Sequence, residues 1–115
     1  MLDVTKKISN LLQNIAHVEL AGSEAELILP SIYIEHVSNN AAVSMDKKDF
    51  LTEFTYQIDV YAETPQRCIE IAEYVDEAMQ NEGWQRSNGA LIERQRYTLT
   101  YRAVVAENFN IYTEE

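Results

Sequence analysis

The chain has 115 residues, of which 46% are hydrophobic, the length and apolar content of one domain around one core. Nineteen Asp and Glu against nine Lys and Arg give a formal charge of −10, which argues against a groove built to neutralise nucleic-acid phosphates and otherwise serves solubility. The apolar runs span only a few residues, against the ~20 needed to cross a bilayer, so no membrane partner is expected. The N-terminus lacks a signal-peptide pattern, and Cys68 is the single cysteine, which excludes an internal disulfide framework and fits a reducing, cytosolic compartment.

From Asp3 to about Ala16, Val4, Ile8, Leu11, Leu12 and Ile15 recur at the spacing of one helix face, and Asp3 is placed to cap the exposed N–H groups. A short strand is expected near His17–Leu20, followed by the connection AGSEAELILP. SIYIEHV, Ser31 to Val37, alternates as a strand does. SNNAAVSMDKKD, Ser38 to Asp49, starts with turn formers and has no period, so it reads as a long loop. Asp49–Glu63 alternates again, with Phe50, Phe54, Tyr56, Ile58, Val60 and Ala62 on one face. At ~3.3 Å per residue that strand would extend roughly 45 Å. A 100-residue domain has a radius of gyration of only ~13 Å, so the strand must bend at a bulge or project.

Thr64-Pro65 opens the second helix: Thr is a good N-cap, and Pro at the first helical position sacrifices no hydrogen bond. Cys68, Ile69, Ala72, Val75 and Met79 are its predicted buried stripe, Glu70, Glu73 and Glu77 its solvent side, and Gly83 its left-handed stop, with Trp84 folding back. Asn88-Gly89 predicts a tight hairpin turn that pairs Ser87 with Ala90 and Trp84 with Glu93. Trp84, Leu91, Tyr97, Leu99, Tyr101, Ala103 and Val105 then share one face, and Ile92, Arg94, Arg96, Thr98, Thr100 and Arg102 the other. The expected fold is α+β, a mostly antiparallel sheet of about four strands with two helices packed on one face. Residues 1–105 form the domain, 38–49 its long loop and 106–115 a C-terminal tail.

Chemistry is sparse. His17 with Glu19, His36 with Glu35, and the glutamate stripe are the only metal or acid–base candidates, and their spacing is unspecific. Cys68 falls on an apolar stripe with no histidine beside it, which reads as a buried small residue. Three glycines, Gly22, Gly83 and Gly89, do not make a phosphate-cradling loop. No enzyme activity, cofactor or metal is expected. Seven tyrosines, and Arg94, Arg96 and Arg102 on a polar strand face, are residue types that interfaces favour. Tyr56, Tyr97 and Tyr101 fit the core, while Tyr33, Tyr61, Tyr74 and Tyr112 are less easily placed there.

Four phrases, DVTKKISNLLQNI, LPSIYIEHVSNN, FLTEFTYQIDVYAETPQRCIEIAEYVDEAMQNEGWQRSNG and RYTLTYRAVV, together resemble the tail terminator, or tail completion, proteins of long-tailed phages and prophages. The resemblance spans nearly the whole chain. It implies a virion protein of the tail or neck, assembled in the bacterial cytoplasm. It also implies a ring, typically a hexamer, that stops tail-tube growth and presents the head-joining surface. Its partners would be further copies of itself, the tail tube protein and the head–tail connector, with DNA passing through unbound. Another neck protein such as a head-side stopper, a tail tube subunit, and a small-molecule-binding or enzymatic α+β domain remain the alternatives. The candidate interface residues come from this chain's own loop, tyrosines and charges: Asn40, Met45, Lys47, Lys48, Tyr61, Glu70, Glu73, Glu77, Arg94, Arg96 and Arg102.

Overall fold

The computed structural model describes residues 2–20, 28–41 and 52–105. Its elements are α1 (Leu2–Leu12), β1 (His17–Leu20), β2 (Ser31–Ala41), β3 (Thr52–Tyr61), α2 (Pro65–Asn81), β4 (Gln85–Glu93) and β5 (Arg96–Val105). The fold is α+β, with one five-stranded sheet of order β1-β2-β3-β5-β4. All neighbours are antiparallel except β1 and β2. The sheet exceeds the expected four strands because β1, too short to persist alone, is held at the edge by pairing His17–Leu20 with Ser31–Ile34.

Alternation sends Ile32 and Ile34 of β2, Phe54, Tyr56, Ile58 and Val60 of β3, and Leu99, Tyr101 and Ala103 of β5 to one side, where all are buried. Both helices cover that side, α1 against β1 and β2, α2 against β3, β4 and β5. From α1 come buried Val4, Ile8 and Leu12, with Leu11 and Ile15 at the core margin. Thr5 Oγ1 and Tyr56 Oη share a 2.7 Å hydrogen bond that ties α1 to β3. The helix is shorter than expected. Asp3 lies inside its first turn rather than capping it, and the chain must leave the helix after Leu12 to be extended by His17.

The predicted ends of α2 are observed. Thr64 is extended, and its Oγ1 accepts from Arg67 N–H at 3.1 Å, with Pro65 at the first helical position. At the other end Gly83 has φ 98°, and the Gly83 and Trp84 N–H groups donate to Gln80 and Met79 carbonyls at 3.0 Å each. This doubly bonded stop places Trp84 in the core, edge-on to Tyr56 at 5.6 Å. The buried stripe is Cys68, Ile71, Ala72, Val75 and Met79. Ile71 therefore replaces Ile69, since three-and-four steps from Cys68 reach 71 and 72 but never 69.

Two further expectations are corrected. Ser38–Ala41 belong to β2 rather than to a loop, because pairing with β3 continues past a bulge at Val37 to Ala41 opposite Thr52. Residues 42–51, the rest of that loop and the start of the long expected strand, lie outside the described residues, as does the tail 106–115. The bulge thus falls in β2, not in β3.

The second correction concerns the hairpin. Asn88-Gly89 does not turn: Asn88 pairs with Thr100 and Gly89 with Leu99 inside β4, and the two-residue loop is Arg94-Gln95. Tertiary bonds decide this. Gln95 accepts from Ala62 N–H at 3.2 Å and its Nε2 donates to Glu63 O at 3.2 Å, so the loop is fastened to the β3–α2 corner. Gly89 serves close approach instead, since a Cβ there would lie 3.0 Å from Leu99 Cδ2.

Candidate functional site

The sheet face away from the helices is polar and aromatic. Tyr33 and Tyr61 meet edge-to-face at 5.4 Å across β2 and β3. Thr98 Oγ1 donates to Asp59 Oδ1 at 2.7 Å, and Gln57 Nε2 reaches the same carboxylate at 3.3 Å. Arg96, opposite Tyr61 in the ladder, is held more firmly protonated by its hydrogen bond to Tyr61 and by nearby Asp59 and Glu93. Arg102 Nε lies 3.8 Å from Glu53, a loose exposed pair. Of the predicted interface residues, Tyr61, Arg96 and Arg102 share this face, and Asn40 sits opposite Glu53 in register. Met45, Lys47 and Lys48 lie outside the described residues.

Glu70, Glu73 and Glu77 are exposed on the outer side of α2, beside Tyr74, which is 61% exposed. Arg67 Nη1 approaches Glu70 at 3.3 Å. The helix layer separates this surface from the open sheet face, so its glutamates cannot meet Arg96 or Arg102 within one chain. Arg94 belongs to neither face. It occupies the loop at the end of the β4–β5 hairpin, exposed and with no hydrogen-bond or ion-pair partner among the described residues.

Between α2 and the hairpin runs a groove of about 170 Å³, lined by Ile69, Ala72 and Glu73 of α2, Arg86 of β4, and Tyr97 and Leu99 of β5, with Asp76 at its end. Gly89 packs closely on Leu99, Arg86 and Tyr97, three of the lining residues, with no room for a side chain unless Leu99 shifts. At the end of the groove the Asp76 carboxylate accepts from buried Tyr101 Oη at 2.7 Å and from Gln80 Nε2 at 2.8 Å, with Arg86 Nη1 at 3.4 Å. Burial and that carboxylate push the Tyr101 phenol far up, so Tyr101 stays a donor. The network clamps α2 to β4 and β5. The groove is absent from the sequence reading; Ile69 off its helix stripe and a glycine inside a strand were its two available signals.

The reactive candidates separate. His36 faces the helix layer against the Phe54 and Tyr56 rings, at 5.6 and 5.1 Å, while Glu35 is exposed on the other face. His17 Nε2 and Glu19 Oε2 are 2.7 Å apart on edge strand β1. Among the described residues no group of three or more His, Cys, Asp or Glu is placed to hold a metal. Cys68 is buried at the start of α2, its Sγ 4.0 Å from Ala62 O, and burial pushes its thiol up. A thiol so placed is a poor nucleophile. No described helix is long and apolar enough to cross a membrane. No protein-family model matches the chain, and no curated protein matches it.

Proposed function

We propose that this protein is a structural subunit of a phage or prophage virion, a tail terminator that caps the tail tube as a ring and forms the head-joining surface. The observation that carries the proposal is the two-sidedness of the domain. A two-layer α+β body holds tyrosines and arginines on a sheet face that no described element covers, and glutamates on the far side of α2. Such unlike faces on one small body suit repeated head-to-tail association, whose natural closed form is a ring. The whole-chain resemblance in segment order adds the particular station, the end of the tail.

The small-molecule reading has two hollows in its favour. The groove beside the hairpin, ~170 Å³, is below the roughly 300–1,000 Å³ of metabolite sites; the hollow of about 450 Å³ on the outer side of α2 is within that range, but it is lined by Arg67, Glu70, Glu73, Tyr74 and Glu77 and lacks the apolar walls such sites have. Electron microscopy of the purified protein, alone and with tail tubes, tests the proposal. Rings of this protein seated on tube ends are the expected result. A protein that neither assembles nor binds tubes, or one that binds a metabolite tightly without assembling, overturns the proposal.

A further inference from the structure

We draw no further inference here: the strongest candidate, the open sheet face around the Tyr33–Tyr61 pair and Arg96, belongs to the surface already described, and nothing in the structure shows what covers it.

Discussion

Neighbouring residues of the same strands meet two different environments on the two faces of the sheet. On β3, Tyr56 points into the helix layer and is fully buried, bonded to Thr5 and edge-on to Trp84; Tyr61 points the other way, edge-to-face with Tyr33 and bonded to Arg96. Both faces carry aromatic rings, so composition does not distinguish them. What differs is the partner: one face is completed by this chain's own helices, while the described residues leave the other open. The stability of the domain therefore resides on the first face, and the second is available for contact.

The largest effect expected from this contrast is on folding. Tyr56→Ala should cost about 3–5 kcal/mol, the range for deleting a buried aromatic, while Tyr61→Ala should cost less than about 1 kcal/mol. Urea denaturation of both variants measures the difference. Equal losses would mean that the open face is as much a part of the core as the covered one.

Next comes the clamp between α2 and the hairpin. Asp76→Ala leaves the buried Tyr101 hydroxyl without its acceptor and should destabilise by about 1.5–3 kcal/mol, as for hydrogen bonds to charged groups. The same tyrosine gives a pH signature. Tyr101 and Tyr56 both have phenols raised above the ordinary 10.0, mainly by burial. Above pH 10 the unfolded chain ionises while the folded chain stays protonated, so their contribution is intact below pH 10 and is lost as pH rises beyond it. Each contributes a slope of up to about 1.4 kcal/mol per pH unit. The urea midpoint should therefore fall between pH 9 and pH 11. A flat profile would show that both phenols reach water in the folded state.

The covered face was the legible one, because local rules and tertiary structure agree there. Thr64-Pro65 and Gly83 bound α2 as their backbone preferences require, and the alternation of β3 names its core residues. Where local and long-range terms compete, sequence reading fails. Asn88-Gly89 is a strong turn signal in isolation, but the bonds from Gln95 to Ala62 and Glu63, 32 or more residues away, move the turn to Arg94-Gln95. The groove was invisible for the same reason. Ile69, Tyr97 and Leu99 meet only once α2 lies on the hairpin, and moving Ile69 onto the buried stripe concealed that it stands outside. Arg96 and Arg102 were legible as one face, since alternation along one strand aligns them, whereas Tyr61 joins them only through the β3–β5 register and Arg94 was assigned to a strand that ends before it.

Gly89→Ala probes the line between the two kinds of surface. Its Cβ would press on the end of the Leu99 side chain, 3.0 Å away, which can shift, and alanine suits an extended backbone better than glycine. Thermal stability should change by no more than about 1 kcal/mol in either direction. Calorimetry measures the change, and a loss well beyond that range would show that the Leu99 side chain cannot give way.

The smallest expected effect is a null one, and it concerns the charge of the open surfaces. In the proposed ring, six copies at −10 each would bring about −60 of formal charge, and whatever share faced a channel would repel phosphate. A basic channel would release counterions and hold DNA where it has to slide. Charge placement in the domain fits the first arrangement: Arg67, Arg86 and Arg102 each lie within 4 Å of a carboxylate, and Arg96 is bonded to Tyr61 near Asp59. These neighbours mute four of the five arginines, and among the described residues Arg94 is exposed with no such neighbour. The protein should therefore retain no duplex DNA at any salt concentration. A mobility-shift titration at low ionic strength, ~10 mM, where the screening length reaches ~30 Å, is the most permissive condition for binding. Salt-sensitive retention there would place a basic surface in the channel and make the acidic excess a matter of solubility alone.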